Sequence, residues 1–140
     1  DVSNIPDFNH FDSVFNPMIE FFNNFRGTDV NICDHNDNLV LRPQLLHFHK
    51  GGGYLSAHFH KKDPQKIGLI LMGSKRFVDF DNCTIVFEEN DQVIDPIDIL
   101  EPGDLLVFNY GQKHWVTSCD IEEKMQFNNS GFWIYTLPYY

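Results

Sequence analysis

From residue 30 to its end, the chain alternates short apolar stretches with Gly, Pro, Asn and Asp. Turn signals fall at Gly51-Gly52-Gly53, Asp63-Pro64, Asp81-Asn82, Asp95-Pro96, Glu101-Pro102-Gly103 and Tyr110-Gly111. Between and around them lie candidate strands at Leu39–Arg42, Gln44–His49, Tyr54–His60, Lys66–Met72 and Arg76–Phe80. Further ones follow at Thr84–Glu88, Gln92–Ile94, Asp104–Phe108, Trp115–Ser118 and Phe132–Leu137. Many short strands at regular spacing predict an all-β sandwich or barrel. No repeat, linker or low-complexity tract interrupts the pattern, so residues 1–140 read as a single domain.

The segment 1–29 has a different period. Phe11, Phe15, Met18, Ile19, Phe22 and Phe25 recur at three- and four-residue steps and share one stripe of an α-helix. Asn16-Pro17 reads as a cap and first-turn pair where the helix begins or restarts. Arg26 and Gly27 supply a basic last turn and a stop. The stripe is expected to pack against a sheet.

Charge narrows the partners. Lys and Arg number 10 against 20 Asp and Glu, a net charge of −10. A nucleic-acid binder needs a basic stripe, and an anionic membrane surface repels such a chain, so neither partner is expected. No apolar run reaches the roughly 18 residues that a membrane helix needs, and no signal-like segment opens the sequence, which predicts a cytoplasmic location. Cys33, Cys83 and Cys119 are odd in number and lack a C-x-x-C spacing. They read as buried or half-buried free thiols rather than a disulfide framework or a cysteine zinc site.

The functional signal lies in the 7 His residues. His47-Phe48-His49 and His58-Phe59-His60 are two copies of one tripeptide. On a strand the two imidazoles of each copy point to one face, spaced to share a metal ion, and the Phe points to the other, toward an apolar layer. A further ligand must come from elsewhere, and His114, beyond the turn-strand-turn stretch Gly103 to Lys113, is the best candidate. His47 and His49 are the weaker pair, suited to lining a cavity or orienting the ligands. His10 and His35 read as solvent-facing.

Two motifs then resemble those of the cupins. Gly52 followed at a five-residue gap by His58-Phe59-His60 resembles the first cupin motif, with Gln65 in the slot where a Glu is usual. Gly103, a five-residue gap, Asn109-Tyr110-Gly111 and then His114 resembles the second, with Asn109 for its usual Pro and Ser118 for its usual Asn. Other stretches resemble the iron- and 2-oxoglutarate-dependent oxygenases. These are Gly53 to His58, Gly68 to Leu71 with Ser74, Gly103 to Phe108 with His114-Trp115-Val116, and Gly131 to Tyr135. The resemblance implies a double-stranded β-helix (a jelly-roll, cupin-like barrel over 30–140) preceded by the α-helix. It also leaves open a homodimer, since many cupins pair through edge strands.

What the resemblance implies for function is a divalent metal held by His58, His60 and His114. Fe(II) is expected first, with Zn, Ni or Mn as alternatives. The implied activity is that of a non-haem dioxygenase, an oxidoreductase acting on a small organic substrate. Two departures bear on the branch. The oxygenases usually place a carboxylate where His60 stands. They also place an Arg on the last strand, where Phe132 or Trp133 stands, to hold 2-oxoglutarate. Lys75 or Arg76, or else Lys66 or Arg42, are the basic residues that can replace it as cosubstrate anchors. Tyr54, Gln65, Trp115, Trp133 and His49 are the candidates for substrate contact at an aromatic mouth. A metal- or small-ligand-binding cupin without redox turnover, or a zinc-type isomerase or hydrolase, are the other readings.

Overall fold

The computed structural model describes residues 8–32, 34 and 39–140, with side chains from residue 10 onward. The expectations for Cys33 and His35 therefore lie outside the described residues. The protein is mostly β. Among the described residues, eight strands form two antiparallel four-stranded sheets, with one α-helix at the N-terminal end. The sheets are not closed into the expected barrel.

Helix α1 runs Phe8–Arg26, straight through Pro17 rather than starting there. Pro17 costs the helix one N–H donor. It lies on the exposed side, where water reaches the orphaned carbonyl. Phe15, Met18, Ile19 and Phe22 are buried; Phe25, assigned to the same stripe, is 59% exposed. A helix so rich in Asn is held by burial rather than propensity. Removing the fully buried Phe22 ring by Phe22→Ala costs roughly 3–5 kcal/mol. The stop is as expected: Gly27 takes φ +66, and the Thr28 N–H reaches back to the Asn23 carbonyl.

The strands are β1 Gln44–His49, β2 Leu55–His58, β3 Ile67–Met72, β4 Ile85–Glu89, β5 Gln92–Ile94, β6 Leu105–Asn109, β7 Lys113–Val116 and β8 Gly131–Thr136. One sheet has the order β1-β8-β3-β6 and the other β2-β7-β4-β5. The first strand pairs with the eighth, the second with the seventh, the third with the sixth and the fourth with the fifth. The β region is thus one long antiparallel hairpin whose successive strand pairs alternate between sheets.

The central strand β3 is buried on both sides, which is why its sequence is an apolar run with no alternation. Ile70 and Met72 face the other sheet and join Phe48, Ile85, Phe87 and Phe132 in the inter-sheet core. Ile67 and Leu69 face outward and receive α1. Buried Cys83 and Cys119 are free thiols, close enough to hydrogen-bond each other.

Two expected strands are absent. Residues 76–80 form a loop: the Asp79 carboxylate accepts from the Lys75 N–H at 2.7 Å and Phe77 takes φ +63, a conformation no strand contains. Residues 39–42 form isolated bridges rather than a strand, with Leu41 paired to Tyr139 and Val40 exchanging backbone hydrogen bonds with Tyr140.

Candidate metal centre and cavity

His58 and His114 are register partners across β2 and β7. The strand holding His114 begins at Lys113 rather than at the expected Trp115. His60 lies just past the end of β2. Ring centroids are 4.4 Å apart for His58–His114, 4.8 Å for His58–His60 and 5.2 Å for His60–His114. One ring nitrogen from each lies within 4.8 Å of the others.

A β-bulge sets this arrangement. Leu55 pairs with Val116 and His58 with His114, so three steps on β2 match two on β7. Such an extra residue re-aims side chains. Leu55 and His58 consequently both face the same cavity despite their odd spacing. Tyr54 is left 65% exposed. Phe59, expected against an apolar layer, is 73% exposed because no strand pairs beyond His58. Phe48, in the other tripeptide, is buried as expected.

Two of the imidazoles are oriented by the backbone. His58 Nδ1 lies 2.7 Å from the Ser56 carbonyl, and His114 Nδ1 lies 2.8 Å from the Gln112 carbonyl. A carbonyl only accepts, so each Nδ1 carries the proton and each Nε2 keeps its lone pair. His60 has no such tether; its ring stacks on Tyr110 at 4.4 Å. Burial, then His114 and His58, push His60 down to about 4. Burial holds His114 below its ordinary value too, against the bond to Gln112. Neutral imidazoles are the form that binds metals. Burial, with Tyr140 nearby, pushes the Tyr110 hydroxyl up to about 12.

The three histidines border a cavity of about 280 Å³ between the sheets. Its walls are mainly aliphatic, with Leu46, Ile70, Ile85 and Ile134 among them. Phe108 packs edge-on to His114 at 4.9 Å. That ring fits because residue 68, opposite it in the β3–β6 register, is glycine. A Cβ there would lie 2.1 Å from the ring. No Lys, Arg, Asp or Glu lines the cavity among the described residues.

The other sequence candidates lie elsewhere. Trp115 follows His114 on β7 and so points to the opposite face. Trp133 likewise alternates with buried Phe132 and Ile134, and stacks on His47, its register partner, at 3.7 Å and 9°. His49 shares that outer face, beside His47 and Phe127. None of the four, Tyr54 included, lines the cavity. Gln65 does, but its amide is held by the backbone: Oε1 accepts from the Tyr139 N–H at 2.8 Å and Nε2 donates to the Leu137 carbonyl at 3.3 Å.

The basic candidates are engaged at other places. Lys75 pairs with Glu101 at 2.9 Å, and Arg76 pairs with Asp98. Both lie beyond the far end of β3 from Gly68, a strand of about 13 Å between Gly68 and Met72 at about 3.3 Å per residue. Lys66 pairs with Asp63, and Arg42 lies 4.4 Å over the Tyr140 ring. Asp81, Asp120 and Glu123 form a second cluster, but Lys50 sits among them, 3.3 Å from both Asp120 and Glu123.

Gln44, Thr136, Phe108, Tyr110 and Tyr140 line the cavity without having been singled out. Alternation from buried Phe48 points to Gln44; Tyr110 sits inside the second motif; nothing in the sequence marks Tyr140. Among the described residues, no helix is long and apolar enough to cross a membrane. Compared with known proteins, the chain matches no family model, no curated protein and no solved structure.

Proposed function

We propose that the protein is a metal-dependent oxygenase in which His58, His60 and His114 hold one ferrous ion against a small-molecule cavity. The single observation that carries this reading is the convergence of three imidazoles, two already oriented by backbone carbonyls, on one wall of an apolar cavity. The donor set fits a first-row divalent ion. The strand pairing, one hairpin folded between two sheets, is an observation that supports the cupin resemblance.

When bound, ferrous iron supplies electron transfer to dioxygen and Lewis-acid positions for a chelating substrate. The chain supplies the rest. Ser56 and Gln112 fix the directions of His58 and His114, and Tyr110 backs the ring of His60. Phe108 and the aliphatic walls exclude water and leave room only for a small substrate. The lack of any lining Lys or Arg favours a reaction that does not use 2-oxoglutarate, whose carboxylates need a paired cation.

Three imidazoles suit zinc equally. That donor set keeps a second reading, metal or small-ligand binding without redox turnover or a zinc-type isomerase or hydrolase. Reconstitution with ferrous iron in an oxygen electrode separates the two. Substrate-dependent oxygen uptake that needs no 2-oxoglutarate supports the oxygenase. Retained zinc with no uptake across a panel of small neutral organics overturns it.

A further inference from the structure

The wall facing the histidines carries its own chemistry. His58 and His114 belong to the β2-β7-β4-β5 sheet, while Gln44 and Thr136 are register partners on β1 and β8 of the other sheet. Both border the same cavity. The Thr136 hydroxyl donates to Gln44 Oε1 at 3.3 Å. That contact uses the amide's acceptor and leaves the two N–H donors of Nε2 without a partner among the described residues.

Other polar groups of the lining are held by the backbone. Gln65 is spent on the backbone of Leu137 and Tyr139. The Nδ1 atoms of His58 and His114 are spent on Ser56 and Gln112. The free donors of this half-buried amide stand on a mainly aliphatic wall and offer a hydrogen bond to an acceptor on a ligand. At this wall, opposite the histidines, an ionised acceptor would lose its hydration with no lining Lys or Arg to repay it.

We infer that Gln44, set by Thr136, is the specificity-determining group of the cavity, and that the substrate is a small, largely apolar molecule that presents a neutral carbonyl or ether oxygen to it. The inference rests on the cavity's being the substrate site, as in the proposed function, but not on which metal the histidines hold.

A matched pair of probes tests it. Acetophenone and benzoate have the same number of heavy atoms; one ends in a neutral carbonyl, the other in a carboxylate. Each is titrated into the metal-free and the zinc-loaded protein while the Gln44 side-chain amide is followed by two-dimensional NMR, its signal identified by loss in Gln44→Leu. Acetophenone is expected to shift that amide in both forms, and benzoate not to in the metal-free form. Gln44→Leu should weaken acetophenone about five- to tenfold. The near-isosteric Gln44→Glu should weaken it at least as much, and serves if the leucine variant does not fold. Benzoate binding the metal-free protein as tightly as acetophenone overturns the inference. So does acetophenone binding that is unchanged in the Gln44 variants, or that is absent from the wild type. Metal content, measured on the same samples, bears on the proposed metal centre alone, so the two failures are distinguishable.

Discussion

His58 and His114 stand opposite each other on β2 and β7, and each has its Nδ1 against the carbonyl two residues before it. The pairing turns two adjacent strands into a matched pair of Nε2 donors without help from any acidic side chain. Metal-ligating histidines are generally tied down in this way. The metal-free protein at neutral pH should therefore show both residues as Nδ1–H tautomers in long-range nitrogen–proton NMR. An Nε2–H tautomer at either residue contradicts the assignment.

Burial sets a pH dependence. His47, His60 and His114 are all held below the ordinary value of 6.5, chiefly by desolvation. The unfolded chain then takes up protons first as the pH falls, so these groups favour the folded state fully above about 6.5 and progressively less below it. For His60 the loss runs down to about 4. Chemical denaturation of metal-free protein should give lower stability at about pH 5 than at about pH 7.5. The mutant His47→Phe should reduce the difference. Equal stability at the two values contradicts the shifts.

Gly68 and Phe108 form a second dependency. The ring of Phe108 occupies the space of a Cβ at 68 and packs edge-on to His114. Gly68→Ala should destabilise by about 1–3 kcal/mol through overpacking and weaken metal binding by displacing the ring from His114. Phe108→Leu in the same chain should restore much of the stability. A Gly68→Ala protein with unchanged stability and affinity contradicts this packing account; denaturant melts and zinc titration read both.

Gln65 provides the contrast. It lies in the motif slot of a usual ligand, yet it is 1% exposed and clasps the backbone of Leu137 and Tyr139. Gln65→Leu should cost about 1–3 kcal/mol, since the Tyr139 N–H loses its buried acceptor. Metal content should stay unchanged when measured on folded protein. A loss of metal without a loss of stability would make Gln65 a ligand after all.

Strand periodicity and turn residues made β1 and β5 readable to the residue, and helical spacing made most of the α1 stripe readable. The His-x-His spacing and the Gly offsets singled out His58, His60 and His114, which the fold does bring together. What escaped was governed by contacts distant in sequence. The bulge between Leu55 and His58 exists only through pairing with β7, and it moved Tyr54 to solvent. Trp115 and Trp133 look like cavity residues in composition, but alternation sends them to the outer faces. Gln44 and Thr136 are unremarkable until β1 and β8 pair.

The most direct test is elemental analysis of the purified protein, alongside His58→Ala and His114→Ala. One equivalent of a first-row divalent metal in the wild type, lost in both folded variants, is the predicted result. A wild type that neither holds nor takes up such an ion, or variants that keep it in full, would contradict the three-histidine centre.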